Sequence, residues 1–492
     1  MSLINIQNLS FSYEGSYTSV FENVSFQIDT DWKLGFIGRN GRGKTTFLNL
    51  LLGKYKYEGK ITSSVKFTYF PFDVENKEYL SGEILQTICP ETQEWEIIRE
   101  LLYLRVDEGV LYRPFENLSG GEQTKVLLAG LFLKEGNFLL IDEPTNHLDT
   151  EARQVVSDYL KRKKGFILVS HDRAFLDGCV DHILSINKTN IEIQSGNFSS
   201  WFENFERRQA YEYSQNEKLK KDIERLSEAS KRTSAWADKT EAGKFGVQSS
   251  GLKADRGYVG HKAAKVMKRA KATEQRQEQA IAKKAELLKN TENSESLKLF
   301  PLTYHSERLL SLSDVEIFYG NHKVCGPISF ELTSGERVAL EGKNGCGKSS
   351  LLKLIVGENI GYSGSFNLAS GLIISYVSQT TDYLCGTLSE YAKENDIDES
   401  LFKTILRKMD FKREDFERNI SDYSGGQKKK VLIAKSLCQK AHLYVWDEPL
   451  NFIDIYSRIQ IENLLSEFQP TMIFVEHDKA FQNTIATKII RL

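Results

Sequence analysis

The sequence lacks any apolar run that approaches the roughly 18 residues needed to span a bilayer. Its start, MSLINIQNLSFSYEG, also lacks the basic region and continuous apolar stretch of a secretory leader. These absences predict a cytoplasmic protein without a membrane segment of its own.

Cysteine and proline are scarce. The six cysteines lie far apart without a C-x-x-C pair, which argues against a zinc site or a disulfide framework. Only eight prolines occur in 492 residues, and none lies between residues 145 and 300, so long helices are permitted there. The net charge of −2 does not by itself suggest a nucleic-acid partner.

The chain is an internal duplication. Four motifs recur in the same order, with offsets of 304 to 306 residues between the copies. In each copy, apolar runs such as KLGFIG and RVALEG lead straight into the motifs, which is typical of buried strands in an α/β domain. The equivalent positions are Gly38 with Gly342, Ser119 with Ser424, Asp142 with Asp447, and His171 with His477.

Between the copies lies a segment of different composition. Residues 201–300 contain 22 lysines and arginines against 15 acidic residues, and no glycine occurs from Phe198 to Ala242. A glycine cluster at 243–260 then precedes a second helix-favouring stretch. We predict two domains, residues 1–200 and 305–492, joined by a basic helical hairpin over 201–304 with its tip near 243–260.

Two glycine-rich loops, GRNGRGKT and GKNGCGKS, match the G-x-x-x-x-G-K-[ST] pattern between an apolar strand and a helix-compatible run. Backbone N–H groups of such loops surround phosphate oxygens, the lysine neutralises the terminal phosphates, and the Ser or Thr hydroxyl binds Mg²⁺. The alternative of a plain glycine turn does not explain two equivalent matches. The predicted ATP-binding residues are Gly38, Arg39, Asn40, Gly41, Arg42, Gly43, Lys44, Thr45 and Thr46, with Gly342, Lys343, Asn344, Gly345, Cys346, Gly347, Lys348, Ser349 and Ser350.

An Asp-Glu pair follows an apolar strand in each copy, in FLLIDEP and LYVWDEP. Asp142 and Asp447 suit Mg²⁺, while Glu143 and Glu448 are the candidate bases that polarise the attacking water. A solvated acidic pair is the competing interpretation.

His171 and His477 close further apolar strands, where an imidazole could contact the γ-phosphate or orient the water. A lone histidine is usually structural, but this one recurs 29 and 30 residues after the magnesium aspartate.

The signatures LSGGEQ and YSGGQK supply a second set of free backbone N–H groups at a predicted helix start. One nucleotide does not need both devices, so we predict that the halves face head to tail. Ser119, Gly120 and Gly121 would then close over the ATP at Lys348, and Ser424, Gly425 and Gly426 over the ATP at Lys44.

Tyr13 and Tyr319 precede their loops by 25 and 23 residues and could stack on adenine. As strand aromatics they could equally belong to the core.

Taken together, these motifs resemble the ATP-binding cassette (ABC) ATPases over nearly all of both halves. DEPTNHLD, two fused cassettes and a charged helical linker are similar to the ABC-F proteins, which act on ribosomes. LYRPFENLSGGEQTKVLL, WDEPLNFID and HKAAKVMKR resemble the Lsa-type antibiotic-resistance members. The resemblance implies two P-loop NTPase domains that use ATP and Mg²⁺.

The same resemblance implies a partner, the 70S ribosome, bound at its exit (E) site with the linker tip toward the peptidyl-transferase centre, 23S rRNA and the P-site tRNA. It implies protection against lincosamides, streptogramins A and pleuromutilins by a monomer whose two ATPase domains pair with each other.

The linker composition agrees with an RNA partner. From Lys231 to Lys271 there are 11 basic residues against three acidic ones, interleaved with aromatic residues. A solvated coiled-coil spacer remains the alternative. The predicted RNA-contacting residues are Lys244, Phe245, Lys253, Arg256, Tyr258, Lys262, Lys265, Lys268 and Arg269.

The two halves also depart from each other. Where the family has a magnesium-sensing glutamine, the second half has Gln379, a predicted metal ligand, but the first half has Phe72, which cannot ligate an ion. We therefore predict unequal ATP sites that both hydrolyse, since both glutamates are present.

Two other functions stay open from sequence. One is a housekeeping translation factor of the same family, and the other is the energy module of a transporter, which the missing membrane segment and the basic hairpin disfavour.

Overall fold

A computed structural model describes residues 2–15, 19–72, 74–134, 136–146, 148–186, 191–211, 297–320 and 322–492, with scattered residues between 214 and 268. The chain divides into two compact units, residues 1–201 with 294–492 and residues 202–293. The first unit contains both repeats, which we name the first half and the second half.

The first half alternates strands with helices. Its strands are β1 (Leu3–Phe11), β2 (Phe21–Asp29), β3 (Lys33–Gly38), β4 (Glu58–Thr62), β5 (Lys66–Phe70), β6 (Asn137–Asp142), β7 (Phe166–Val169), β8 (His182–Ile186) and β9 (Ile191–Ser195). Its helices are α1 (Lys44–Leu51), α2 (Ser81–Ile88), α3 (Glu94–Tyr103), α4 (Gly120–Phe132), α5 (Thr150–Lys161) and α6 (Arg173–Cys179).

The second half repeats this order. Its strands are β10 (Arg308–Tyr319), β11 (His322–Thr333), β12 (Arg337–Glu341), β13 (Gly361–Leu368), β14 (Ile374–Val377), β15 (Leu443–Asp447), β16 (Met472–Val475) and β17 (Lys488–Arg491). Its described helices are α7 (Lys348–Val356), α8 (Leu388–Glu394), α9 (Glu399–Lys408), α10 (Gly425–Cys438), α11 (Ile455–Phe468) and α12 (Lys479–Ile485).

Each half packs a small antiparallel sheet and helices around a mostly parallel sheet. The larger sheets have the orders β5-β6-β7-β3-β8-β9 and β14-β15-β16-β12-β17, with only β9 antiparallel among their strands. The three-stranded sheets have the orders β2-β1-β4 and β11-β10-β13. The predicted α/β class is confirmed.

The apolar runs in the sequence form the central strands because parallel strands between layers are buried on both faces. Every residue of β7 and β15 is buried. In β3, β6 and β7, parallel pairing brings the carboxyl ends to one edge of the sheet. The glycine-rich loop, the Asp-Glu pair and the histidine therefore meet at that edge.

The helices that follow the motifs begin in two different ways. Asp149, Asp172 and Ser119 cap α5, α6 and α4 with side-chain oxygens. In contrast, α1 and α7 begin after Gly43 and Gly347 without a side-chain cap. Their first-turn N–H groups are consequently left for an anion.

The predicted linker hairpin is described only in part. Residues 198–211 are helical, whereas the predicted tip at 243–260 lies outside the described residues. Residues 297–304, which the sequence assigned to the linker, pack on the second half: Leu297 and Leu299 are buried in its core, and Tyr304 donates to Ser370 O over 2.6 Å. Among the described residues, no helix is long and apolar enough to cross a membrane.

A buried ion pair joins the two halves. The Arg173 guanidinium on α6 binds the Glu462 carboxylate on α11 through both nitrogens, with Nη1 3.0 Å from Oε2. The equivalent positions of the repeat carry Lys479 and Ser157, which line a small cavity of about 30 Å³. One part of the interface therefore contains the ion pair between Arg173 and Glu462. In the equivalent part, near Lys479, the Ser157 hydroxyl takes the place of the carboxylate.

We expect loss of one buried hydroxyl to weaken the first half. Tyr159 on α5 donates from its buried hydroxyl to Glu100 Oε2 over 2.5 Å, and Lys163 shares that oxygen. Tyr159→Phe should cost about 1–3 kcal/mol, because the buried carboxylate loses a donor. A lower midpoint in thermal unfolding would show this loss. Tyr103→Phe, at a tyrosine that is 47% exposed, is the control and should leave the midpoint unchanged; equal shifts would contradict the assignment.

Candidate active site

The glycine-rich loop of the first half faces the second half across a cavity of about 470 Å³, which we name the first site. Two groups of residues from opposite halves line it. They are Tyr13, Val20, Asn40, Gly41, Gly43, Lys44, Thr45, Thr46, Asp142, Glu143, Val169 and His171, with Ser424, Gly425, Gly426 and Phe452.

A matching cavity of about 450 Å³, the second site, surrounds Lys348. Here too, residues of the opposite half complete the lining. They are Val324, Asn344, Gly345, Gly347, Lys348, Ser349, Ser350, Gln379, Glu448, Asn451 and His477, with Gly120, Asn146, Leu148 and Arg153.

The loops have the backbone that phosphate binding requires. Gly43 has a φ of 94°, and a Cβ there would lie 2.5 Å from Val20 Cγ1, so only glycine fits. Gly41 has a φ of 74°, and the position that a Cβ would take there has no neighbouring atom within 4 Å. Lys44 Nζ donates to Gly38 O over 2.7 Å, just as Lys348 Nζ donates to Gly342 O over 2.8 Å. These buried ammonium groups hold the loop closed and lie where phosphate oxygens could replace the carbonyls.

The aspartates at the strand ends have different partners in the two sites. Asp142 Oδ2 accepts hydrogen bonds from Thr45 Oγ1 at 3.1 Å and from Tyr69 Oη at 3.0 Å. Both carboxylate oxygens of Asp447 are buried and have no hydrogen-bond partner among the described residues. Burial raises the pKa of Asp447 to about 6.

These features fit a magnesium nucleotide. A buried carboxylate without a hydrogen-bond partner is stabilised by a cation, and free helix N–H groups are stabilised by an anion. A nucleotide that carries Mg²⁺ supplies both. Among the residues that the structure describes, no group of three or more His, Cys, Asp or Glu side chains could hold a metal alone.

Glu143 and Glu448 share an uncommon backbone conformation. Their φ angles are 48° and 46°, in the left-handed region that non-glycine residues seldom adopt. The N–H of each still donates to the neighbouring strand, to Val169 O and Val475 O. Such strain concentrates at functional sites, and here it turns the glutamate side chain toward the cavity that it lines.

The electrostatic environments of the two glutamates differ. Burial, reinforced by the adjacent Asp142, raises the pKa of Glu143 to about 8. Burial also acts on Glu448, but the neighbouring His477 and Gln379 more than offset it and lower the pKa of Glu448 to about 2. The surroundings thus favour the neutral carboxyl at Glu143 and the carboxylate at Glu448.

Each histidine lies beside its glutamate. His171 Nε2 is 3.3 Å from Glu143 Oε1, and His477 Nε2 is 3.6 Å from Glu448 Oε1. Burial, together with the Lys44 ammonium, lowers the pKa of His171 well below its ordinary value, so this imidazole is neutral. His477 Nδ1 also lies 3.4 Å from the Thr150 hydroxyl of the opposite half.

Further contacts link the loop of the first half to the second half. Asn40 Nδ2 donates to Phe452 O over 2.7 Å, next to the signature glycines. Arg39 and Arg42 both face the Asp410 carboxylate, at 3.6 and 3.7 Å. The glycine-rich loop of the first half therefore contacts the second half through a hydrogen bond to a backbone carbonyl and through ion pairs with Asp410.

Most predicted site residues lie on the two cavities, but some do not. Tyr13 lines the first site, and its hydroxyl is 2.6 Å from Thr46 Oγ1. Tyr319 is absent from the lining of the second site, although its hydroxyl donates to Ser350 Oγ. Residues predicted for the sites but outside both linings are Gly38, Arg39, Arg42, Ser119, Gly121, Tyr319, Gly342, Lys343, Cys346 and Asp447.

The residue at the glutamine position also differs between the sites. Gln379 lines the second site. Phe72 lies outside the first lining, half-buried, with Lys134 Nζ 5.2 Å from the centre of its ring.

Sequence reasoning missed several lining residues. Phe452, Asn146, Leu148 and Arg153 come from the opposite half, whereas Val20 directly precedes β2 and Val324 lies in β11. Phe452, Asn146 and Leu148 lie three to five residues after the Asp-Glu pairs, but no short pattern assigns them to the opposite site, and Arg153 lies further along on α5.

The predicted RNA-contacting residues are mostly outside the part of the chain that the structure describes. Lys244, Phe245, Lys253, Arg256, Tyr258, Lys262, Lys265 and Arg269 lie there. Lys268 is described, as an exposed helical residue.

Comparison with known families agrees with this geometry. The family model described as ABC transporter matches residues 21–146 and again residues 325–451, just over half of the chain. The chain belongs to the ATP-binding cassette family. It is an ATPase with two ABC domains that bind ATP.

Its relatives match along the whole chain. It is 28% identical to the ATP-binding protein Uup of Buchnera aphidicola, covering 99% of this chain and 80% of that protein. It is 27% identical to the ribosome protection protein VmlR of Bacillus subtilis (99% and 86%) and to the energy-dependent translational throttle protein EttA of Escherichia coli (96% and 89%). These matches support the ABC-F branch of the family.

The fold also resembles solved structures. An archaeal ribosome recycling factor, aABCE1, crystallised with the ribosomal stalk protein aP1, has a TM-score of 0.64 at 18% identity over 98% of this chain and 87% of that one. A structure titled RNase-L Inhibitor has a TM-score of 0.62 at 18% identity, over 99% and 87%. At this identity the likeness concerns the fold alone.

We expect the first site to depend on the opposite signature. A Cβ on Gly426 would lie 2.5 Å from Phe452 O and 2.8 Å from Asn40 Nδ2, so Gly426→Ala should displace the contact that closes this site. ATP turnover, measured in the Glu448→Gln background, should fall about tenfold or more, because small misplacements are costly in catalysis.

Gly425→Ala is the matched control. Its Cβ would meet Phe452 Cδ2 at 3.5 Å, an ordinary contact, so its loss of turnover should be clearly smaller. Equal turnover in the Gly426→Ala and parent proteins would show that the signature does not act on the opposite site.

Proposed function

We propose that the protein is an ABC-F ATPase whose ATP-bound form binds the E site of the ribosome and protects it from antibiotics of the peptidyl-transferase centre. Lincosamides, streptogramins A and pleuromutilins are the proposed classes. The observation that carries the proposal is that residues of both halves line each nucleotide cavity. ATP binding can therefore favour one closed arrangement of the chain that a partner recognises.

The proposed cycle uses residues of this chain in defined roles. Lys44 and Lys348 bind phosphate oxygens, and the opposite signature N–H groups close the cavity around them. Mg²⁺ would be held by Thr45 and Asp142 in one site and by Ser349, Asp447 and Gln379 in the other, where it would neutralise phosphate charge. Glu143 and Glu448 accept the proton of the attacking water, and loss of the γ-phosphate releases the halves.

The linker supplies the proposed contact with RNA. Its basic residues at 231–271 can neutralise the phosphates of 23S rRNA, and Phe245 and Tyr258 can stack on bases there or beside the P-site tRNA. The names of two full-length relatives, VmlR and EttA, describe proteins of ribosome protection and of translation. The ribosome is thus the favoured partner.

A second function is favoured by one of the same matches. EttA, named as a translational throttle, is as similar to this chain as VmlR is. A housekeeping role in translation would use the same ATP-dependent binding without altering drug susceptibility.

We expect the Glu143→Gln/Glu448→Gln protein to stay on ribosomes. Without the two bases, the ATP-bound form persists, so the variant should co-sediment with ribosomes in ATP and inhibit translation in vitro. The Lys44→Ala/Lys348→Ala protein is the control and should remain in the supernatant, because phosphate binding is lost. A double glutamine variant that never sediments with ribosomes would eliminate ribosome binding as the function.

Drug susceptibility separates protection from housekeeping. Expression in a sensitive bacterium should raise the inhibitory concentration of lincomycin or a pleuromutilin. Deleting residues 246–259, within the predicted linker tip at 243–260, should abolish this protection while ATPase activity is retained. An unchanged inhibitory concentration with the intact protein would favour the housekeeping role, and protection by the deletion variant would refute the tip assignment.

A further inference from the structure

A buried lysine lies behind the second site and has no counterpart in the first. Lys429 on α10 is only 2% exposed, and the repeat places Thr124 at the same position of α4. Lys429 is absent from the residues that line the second cavity, so it does not reach the nucleotide.

The contacts of Lys429 join two catalytic segments. Its Nζ donates to Ser378 O over 3.0 Å and to Glu448 O over 3.0 Å, with Asp447 O at 3.4 Å. Three acceptors match the three N–H groups of an ammonium, so the buried charge is fully hydrogen-bonded. The bonded carbonyls belong to the residue before Gln379 and to the Asp-Glu pair itself.

The first site lacks this connection. Thr124 Oγ1 donates to Gly120 O over 2.9 Å, within its own helix. The segment that corresponds to Gln379 carries Phe72, which lies away from the cavity. Of the two halves, therefore, only the second has Gln379 at the cavity together with Lys429, which links the backbone before Gln379 to the backbone of Glu448.

We infer that Lys429 is a positioning residue for ATP hydrolysis at the second site, where it holds Gln379 and Glu448 in register with each other. Glu448 has a φ of 46°, which the surrounding structure has to maintain, and the bond from Lys429 to its carbonyl helps to fix that conformation. On this inference the second site is the faster of the two.

The competing explanation is that Lys429 only balances the buried carboxylates around it. Asp447, Glu476 and Glu448 all lie close enough to stabilise its charge. In that case its loss would destabilise the second half as a whole, and nucleotide binding and folding would change together with turnover.

Lys429→Met tests the inference, since it keeps the length of the side chain and removes the donors. It is measured in the Glu143→Gln background, where only the second site retains its glutamate. We expect kcat to fall about tenfold or more, because a positioned base is misplaced. The KM for ATP and the equilibrium affinity for a fluorescent ATP analogue should change less than about twofold, because no contact of Lys429 reaches the nucleotide.

Two variants complete the experiment. Lys429→Gln keeps N–H donors on a shorter stem and should give an intermediate kcat, which also decides the question if the methionine variant does not fold. Thr124→Val in the Glu448→Gln background removes the polar group of the equivalent position and should leave turnover of the first site unchanged.

Two results would overturn the inference. One is an unchanged kcat in Lys429→Met. The other is a parallel loss of kcat, analogue affinity and thermal unfolding midpoint, which would assign Lys429 to stability alone.

Discussion

An ATP phosphate chain carries several negative charges, and neither half of this protein surrounds it alone. One helix N-terminus, at the end of the glycine-rich loop, approaches from one half, and the start of the signature helix approaches from the other. Helix N-termini attract anions through free N–H groups and the helix dipole. A nucleotide in the first site would therefore lie between the two halves, beside the direct contact of Asn40 with Phe452.

The sequence alone predicted the parts of this arrangement that are local. Apolar runs gave the central strands, and the loop and signature residues could be placed at helix starts because glycine, serine and lysine have specific roles there. Residues such as Tyr69, Phe452 and Arg153 could not be found in the same way. Their part in the sites comes from packing between strands or between halves, which no short pattern records. Tyr319 lies outside the lining of the second cavity, and its stacking on adenine stays a prediction.

The two sites share their motifs but differ in the layer of residues behind them. In the second half a buried carboxylate, Glu476, accepts hydrogen bonds from the N–H groups of Leu450 and His477. In the first half the Ser170 hydroxyl accepts from the Asp172 N–H and lies 3.4 Å from the Thr145 hydroxyl. Lys429 and Glu476 thus place a positive and a negative charge in the same region of the second half. Such paired changes keep the interior neutral while altering how firmly the catalytic backbone is held. The differing residues are Thr145 and Leu450, Ser170 and Glu476, and Thr124 and Lys429.

The ion pair between Arg173 and Glu462 bears on the ancestry of the chain. Suppose that two copies of the first half associated as a homodimer. Each Arg173 would then face Ser157 in place of Glu462, and would keep only the counterpart of the Asp478 carboxylate, which lies 3.8 Å from it in this chain. Two copies of the second half would instead pair Lys479 with Glu462. The duplicated halves are therefore not equivalent at this contact, and the difference lies in Ser157 against Glu462 and in Arg173 against Lys479.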